Sequence, residues 1–179
     1  SQEYSGAGIL SLLGALNSGV SYVKVAIPRQ LIDLYANIIE SVTIPIGNKE
    51  YFHKSNYDSI IESDLISNKI PILIGPGLGS KKTTTDLILK LLKYLKSKKN
   101  KCVLDASGFE GLYQTKEIEN LPKNCILTPH LGEFEKIFPN IDTKSPLKAC
   151  KKVIKKLNNR VLILKGSSTI IVTTTGQIY

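Results

Sequence analysis

The stretch Ile70-Pro71-Ile72-Leu73-Ile74-Gly75-Pro76-Gly77-Leu78-Gly79 decides the fold of this 179-residue chain. Its first five residues are all apolar, which is typical of a short strand buried on both faces of a parallel sheet. The glycines that follow predict a tight loop, and an amphipathic helix is predicted over residues 83–96. A buried strand, a glycine loop and a helix in this order are the basic unit of an α/β domain.

Strands and helices alternate on both sides of this unit. Upstream, the residue pattern predicts helices over 6–16, 28–39 and 57–66, strands over 22–26 and 42–44, and a loop over 47–56. Downstream, it predicts strands over 102–104, 125–127 and 161–164, a loop-rich region over 106–123, helices over 134–138 and 147–157, and a hairpin over 170–179. We therefore expect one α/β domain with a mainly parallel sheet flanked by helices.

The composition is that of a soluble globular protein, with 42% hydrophobic and 22% charged residues. No apolar run reaches the ~20 residues that a membrane-spanning helix needs, and the first residues lack the pattern of a signal peptide. The three isolated cysteines, Cys102, Cys125 and Cys150, favour a reducing compartment and small apolar positions in the core. We expect a cytoplasmic protein with no membrane partner, and an organelle stays an open alternative.

The net charge of +9 raises the question of nucleic-acid binding. Only Arg29 and Arg160 are arginines, whereas base recognition favours the planar guanidinium group. The lysines alternate with apolar residues at helical spacing, which indicates solvated helix faces. Nucleic-acid binding is therefore the last of the functions considered, and no nucleic-acid partner is expected.

Four of the predicted strands end in residues that can do chemistry. One runs into the glycine loop, one ends at Asp105, one leads to His130 and Glu133, and one ends at Lys165. In an open parallel sheet the ligand crevice lies beyond the carboxyl ends of the strands. We expect these groups to meet on one rim of the sheet.

Each of these residues has a structural alternative. The glycine loop can hold a phosphate or another anion against the next helix, or it can be only a turn between strand and helix. His130 and Glu133 can serve acid–base chemistry or bind a polar substrate, or they can cap a helix. Asp105 and Lys165 can belong to the site or pair locally at the ends of their strands.

Five segments of the chain form a recognisable series. They are residues 1–26 with Tyr4-Ser5-Gly6-Ala7-Gly8, then Gly75-Pro76-Gly77-Leu78-Gly79, Val103-Leu104-Asp105-Ala106, 126–134 with Thr128-Pro129-His130, and 161–169 with Leu164-Lys165-Gly166. In order and approximate spacing, these segments resemble the ADP/ATP-dependent NAD(P)H-hydrate dehydratases. The most specific segment is Thr-Pro-His-x-Gly-Glu-Phe, and the similarity extends over essentially the whole chain.

The resemblance implies a ribokinase-like fold and a reaction of metabolite repair. ATP or ADP phosphorylates the hydroxyl group of a hydrated nicotinamide ring, and loss of phosphate restores NADH or NADPH. The implied partners are hydrated NADH or NADPH and an adenine nucleotide with Mg²⁺. Because members of the family often form oligomers, a homo-oligomer is an open expectation.

The resemblance also assigns residues, position by position. Gly8, Gly77 and His130 would contact the hydrated dinucleotide. Asp105, Glu133, Gly75 and Gly79 would support the site, and no metal ligand is assigned. The adenine-nucleotide segment would comprise Lys165, Gly166, Ser167, Ser168 and Thr169.

The chain departs from the family pattern at three places. Ser107 stands where family members commonly have an acid. The glycine-rich segment with the catalytic aspartate is expected beyond Tyr179, and a first strand with a glycine pair is expected before Ser1. Residues 1–179 are therefore interpreted as a single partial domain, incomplete at both ends, with no catalytic base of its own and no activity in isolation.

Two alternative functions keep the same fold. A related ribokinase-like kinase of a small alcohol or a pyrimidine would share the distal Gly-Asp but would not be expected to carry the Thr-Pro-His-x-Gly-Glu-Phe segment. A nucleotide-binding protein without catalysis would fit a chain that ends naturally at Tyr179.

Overall fold

The computed structural model describes residues 1–67, 70–115 and 118–179. The helices in these ranges are α1 Ser5–Asn17, α2 Tyr57–Ile61, α3 Lys82–Ser97, α4 Glu110–Thr115, α5 Leu131–Ile137 and α6 Pro146–Leu157. The strands are β1 Val23–Pro28, β2 Ser41–Ile46, β3 Ile72–Ile74, β4 Cys102–Leu104, β5 Cys125–Leu127, β6 Val161–Leu164 and β7 Ile170–Val172. Short 3₁₀ turns cover Gln2–Tyr4, Arg29–Tyr35, Lys54–Asn56, Ala106–Phe109 and Ile118–Asn120.

The strands form two sheets in the described part of the chain. The larger sheet has the order β3-β4-β5-β6-β7, in which the first four strands are parallel and β7 is antiparallel. Strands β1 and β2 form a separate parallel pair. The predicted α/β class and the mainly parallel sheet are confirmed.

The main core lies between the larger sheet and its helices. Helix α3 buries its apolar face there, including Ile88, Leu92 and Leu95, while its lysines stay in solvent. Helix α6 does the same with a face that includes Val153 and Leu157, and all three cysteines are free and buried. The cysteines therefore pack as small apolar residues, as predicted.

Several predicted bounds were wrong for local reasons. Pro28 ends β1 with a ψ of 130° instead of opening a helix, and the next residues form only a 3₁₀ turn. Helix α2 stops at Ile61, where the Ser63 hydroxyl donates to the carbonyl of Ile60 at 2.6 Å and competes with the helical backbone. The strand predicted over 70–74 begins at Ile72 because Pro71 has no N–H to donate to a ladder.

The loop-rich prediction for 106–123 was also incomplete, since this region contains helix α4 between two 3₁₀ turns. Positions 116 and 117 of that region lie outside the described residues. The final hairpin is confirmed, because the amide of Tyr179 donates to Ile171 at 3.0 Å and Gly176 turns the chain with a φ of +82°.

The edge strands β1 and β3 of the two sheets line a cavity of about 620 Å³. Its lining contains every residue of β1 and β3 and is mostly aliphatic. Helices α1 and α3 close the remaining sides through residues such as Leu12 and Leu87.

Across the described residues, no helix combines the length and the apolar character that crossing a membrane would require.

Candidate functional site at the carboxyl rim of the sheet

The glycine loop after β3 lies directly against neighbouring backbone. A Cβ atom added to Gly75 would lie 1.6 Å from the carbonyl oxygen of Asp105, and one added to Gly77 would lie 2.6 Å from that of Tyr4. Gly77 also approaches the amide nitrogen of Gly8, at 3.3 Å from its ideal Cβ position. With φ values of +133° and +74° at Gly75 and Gly77, only glycine fits both the conformation and the space.

Gly8 on helix α1 is confined by a side chain. An added Cβ would lie 2.3 Å from the phenolic oxygen of Tyr35, which is buried. The fold therefore places Gly8 and Gly77, the two glycines predicted to contact the substrate, side by side. Gly79, predicted as a supporting residue, faces Ser1 at the same end of the loop.

Asp105 and Lys165 pair across the rim. The Lys165 Nζ donates to Asp105 Oδ1 at 2.6 Å. The Lys165 side chain is 43% exposed and the Asp105 side chain is 26% exposed. The backbone turns sharply after Asp105, since Ala106 has a φ of +47°, an uncommon conformation for a residue with a Cβ. The local pairing considered for these two residues is therefore present, and it leaves the ammonium group half exposed at the rim.

His130 and Glu133 form a capping box at the start of α5. The backbone N–H of His130 donates to Glu133 Oε2 at 2.8 Å, and the N–H of Glu133 donates to His130 Nδ1 at 3.3 Å. Because Nδ1 accepts a hydrogen bond, the proton of the neutral ring lies on Nε2. The His130 side chain is 61% exposed, so this ring is available to a ligand while Glu133 is held beneath it.

Backbone contacts bring these pairs to neighbouring positions. His130 and Lys165 are partners in a parallel bridge, and the Lys165 amide donates to the Pro129 carbonyl at 2.8 Å. The Thr128 amide donates to the Leu104 carbonyl at 3.1 Å, which aligns the end of β5 with the end of β4. The predicted meeting of groups at the strand ends is therefore found for Asp105, His130, Glu133 and Lys165, and Gly75 joins the glycine loop to them through Asp105.

The segment after Lys165 is an open loop between β6 and β7. Gly166, Ser167, Ser168 and Thr169 are all exposed, and an added Cβ at Gly166 meets only the Ser168 carbonyl oxygen, at 3.4 Å. The loop offers hydroxyl and backbone N–H groups to solvent next to the Lys165 ammonium. Such groups can bind phosphate and ribose oxygens.

Tyr113 is a rim residue that the sequence pattern did not single out. Burial, followed by the charges of Glu133, Glu110 and Asp105, raises the pKa of its hydroxyl group, so the group stays protonated and can donate. The Lys136 ammonium lies 5.1 Å from its ring centre. Its helix, α4, lies in the region predicted as loop, where no periodicity indicated an inward face.

Comparison with known proteins shows the family of this chain. The family model described as NAD(P)H-hydrate dehydratase matches residues 1–179. The bifunctional NAD(P)H-hydrate repair enzyme Nnr of Synechocystis sp. is 31% identical over an alignment of 188 residues. This alignment covers 98% of this chain and 32% of that protein. The chain thus spans about a third of the length of the first curated relatives that it matches.

Solved structures share the fold. A ribokinase-like superfamily protein from Enterococcus faecalis superposes with a TM-score of 0.78 at 23% identity, over 99% of this chain and 58% of that one. The ADP/ATP-dependent NAD(P)H-hydrate dehydratase from Bacillus subtilis, co-crystallized with ATP/Mg²⁺ and soaked with CoA, gives 0.73 at 24% identity, over 100% and 61%. The predicted ribokinase-like fold is confirmed, and the chain belongs to the NAD(P)H-hydrate dehydratase family.

Proposed function

We propose that residues 1–179 are part of one dehydratase domain that binds hydrated NADH or NADPH and an adenine nucleotide for the repair of the damaged cofactor. One observation carries the proposal: His130, whose side chain is exposed, forms a backbone β-bridge with Lys165, which leads into the exposed segment 166–169. A donor for a polar ring and a loop for phosphates therefore lie next to each other. Transfer of a phosphoryl group between two bound molecules needs this arrangement.

The hydrated nicotinamide ring is assigned to the side of the rim where Gly8 and Gly77 meet. Their lack of side chains lets α1 and the glycine loop pack closely together, which fixes the backbone around the ligand. The His130 Nε2–H is the donor we assign to a polar group of the substrate, and Glu133 keeps the imidazole in that tautomer. Asp105 and Gly75 hold the loop that carries these contacts.

The nucleotide is assigned to Lys165, Gly166, Ser167, Ser168 and Thr169. The Lys165 ammonium suits phosphate oxygens, and the loop hydroxyls suit ribose and phosphate. Asp105 is the carboxylate beside this segment, and Mg²⁺ is commonly held by one or two carboxylates together with the phosphates of the nucleotide. Asp105, which is paired with Lys165, would be one carboxylate beside Mg²⁺ that arrives with ATP or ADP, and the ion would neutralise charge on the phosphate oxygens.

The overall reaction balances with either nucleotide. The ring hydroxyl takes the terminal phosphoryl group of ATP or ADP, leaving ADP or AMP, and elimination of inorganic phosphate and a ring proton then forms the double bond of NADH or NADPH. The base that accepts the hydroxyl proton is assigned to the Gly-Asp segment expected beyond Tyr179.

The three free thiols fit a reducing compartment such as the cytoplasm, which is where we place the reaction.

The test is recovery of reduced nicotinamide absorbance from hydrated NADH and hydrated NADPH, using the gene product that contains this chain. ATP and ADP are supplied separately, each with Mg²⁺. We expect turnover with at least one nucleotide and none without a nucleotide. Binding of nucleotide with no turnover of either hydrate would overturn the proposal and favour the non-catalytic alternative.

A further inference from the structure

Two lysine ammonium groups meet at one aromatic ring beside the glycine loop. The Nζ atoms of Lys49 and Lys81 lie 5.4 Å and 4.9 Å from the centre of the Tyr51 ring. Lys49 also donates to the Tyr51 hydroxyl at 3.3 Å. Both lysines are exposed and the ring between them is half buried, so two positive charges lie beside one ring at the surface.

In the described part of the chain, these two charges have no carboxylate partner. Among residues 1–67, 70–115 and 118–179, neither Lys49 nor Lys81 takes part in an ion pair. Glu50, between Lys49 and Tyr51 in the sequence, faces the side-chain amide of Gln2. We call Lys49, Tyr51 and Lys81 the lysine–tyrosine cluster.

The start of α3 adds to the positive potential. Lys81 is the N-cap of this helix, Lys82 is its first residue, and its first turn has no acidic residue. Cations at a helix N-terminus oppose the helix dipole, so an anion placed here is stabilised by the lysines and by the helix together. The cluster therefore has a local excess of positive charge that its own structure leaves uncompensated.

The cluster lies next to the substrate side of the rim. Lys81 follows Gly79 by two residues in the same loop, and Gly77 of that loop packs against Gly8. The loop with Lys49 and Tyr51 follows β2, as the glycine loop follows β3. Two strand-end loops thus converge where the adenosine end of a dinucleotide can reach while its nicotinamide ring lies at the glycines.

We propose that the lysine–tyrosine cluster binds a phosphate monoester, the 2′-phosphate that distinguishes hydrated NADPH from hydrated NADH. This inference rests on the proposed function, because it assigns one end of the same substrate. A monoester carries a charge of about −1.5 to −2 at neutral pH and can face both ammonium groups. Dinucleotide-binding proteins use a nearby cation for the 2′-phosphate in the same way.

The experiment measures dissociation constants of the protein for adenosine 2′,5′-bisphosphate, 5′-AMP and inorganic phosphate. The variants are Lys49→Gln, Lys81→Gln and the double substitution. Lys93→Gln is the matched control, because it removes the same charge from an exposed position farther along α3. We expect the bisphosphate to bind more tightly than 5′-AMP, and the double substitution to weaken only bisphosphate binding, by about tenfold.

The subsite would be overturned if the bisphosphate and 5′-AMP bound with nearly equal affinity. It would also be overturned if the ratio of the two affinities were the same in the double variant and in Lys93→Gln. Equal competition by inorganic phosphate would mean that the lysines bind any free anion, which would also overturn it. The repair assay distinguishes the two levels of proposal. Turnover of both hydrates without 2′-phosphate preference removes the subsite alone, whereas lysine-dependent bisphosphate binding without turnover removes the proposed reaction alone.

Discussion

His130 combines a structural contact and an exposed donor in one imidazole. Its Nδ1 caps α5, whereas its Nε2 lies 3.6 Å from Glu133 Oε2 in a side chain that is 61% exposed. The two roles are separable by substitution, because asparagine is a good N-cap but lacks the imidazole Nε2–H.

We expect His130→Ala to lower the free energy of unfolding by about 1 kcal/mol through loss of the cap. The same variant should raise the concentration of hydrated cofactor needed for half-saturation, while nucleotide affinity stays unchanged. His130→Asn should recover the stability and keep the defect in half-saturation. Urea unfolding and the repair assay measure the two effects, and an unchanged half-saturation in both variants would remove His130 from the site.

Lys165 is the second residue whose roles can be separated, since its ammonium group is paired with Asp105. We expect Lys165→Ala to weaken ATP or ADP binding by about tenfold and to affect the hydrated cofactor less, because a charge-assisted contact to phosphate is lost. Asp105→Asn keeps the ammonium group and serves as the comparison. Nucleotide titration of Lys165→Ala that matches the unsubstituted protein would contradict the assignment.

At the scale of elements, the glycine loop between β3 and α3 is held by backbone contacts that leave no room for a side chain. We expect Gly75→Ala to lower the free energy of unfolding by about 3 kcal/mol, since the added Cβ meets the Asp105 carbonyl and the φ of +133° disfavours any residue with a Cβ. Gly14→Ala is the control. An added Cβ there meets nothing within 4 Å, so a gain of about 0.5–1 kcal/mol is expected from helix propensity.

Urea unfolding of the two glycine variants checks this prediction. If Gly75→Ala and Gly14→Ala had equal unfolding midpoints, the close approach of the loop to Asp105 would be wrong. A loss of stability confined to Gly75→Ala would show that the loop glycines are required by packing before any ligand is bound.

The elements that sequence predicted well are those with strong periodicity. Helix α3 and strands β4, β5 and β6 lie where the apolar pattern placed them, because each buries a full face in the core. Helix α4 was missed because its six residues are too few to establish a helical period. The turn after Pro28 was predicted as a longer helix because apolar spacing alone does not separate a 3₁₀ turn from an α-helix.

Site residues were predicted correctly where they follow a strand that the apolar pattern had already located. The strand ends placed Asp105, His130 and Lys165 on one rim, since parallel strands share their carboxyl edge. Tyr113 and the lysine–tyrosine cluster were not predicted, because each depends on contacts between segments distant in sequence. Pairing between Asp105 and Lys165, 60 positions apart, was left open for the same reason.

At the scale of the whole molecule, the described chain has two sheets whose edges face one cavity. The Ile72 amide donates to the Lys101 carbonyl at 3.1 Å on the β4 side. Because successive residues of a strand direct their backbone groups to opposite sides, the Leu73 amide points to the free edge. Leu73 is 47% exposed and lines the cavity together with β1.

This arrangement predicts that one added parallel strand between β1 and β3 would join the two sheets, in agreement with the strand expected before Ser1. Such a strand would pair with both free edges and fill an aliphatic cavity, and both changes stabilise a sheet. We expect a polypeptide extended into its natural upstream sequence to unfold at higher urea concentration. Its Leu73 amide should also exchange hydrogen more slowly.

The β6–β7 pair provides the internal control for that exchange measurement. On the outer side of β7 the Ile171 amide donates to the Tyr179 carbonyl at 2.9 Å, at the far edge of the larger sheet, so an insertion between β1 and β3 should leave the protection of this amide unchanged. Equal exchange at Leu73 in the short and extended polypeptides would contradict the added strand. Slower exchange at Leu73 and Ile171 alike would indicate a general gain in stability, whereas slower exchange at Leu73 alone would locate the new strand in the cavity.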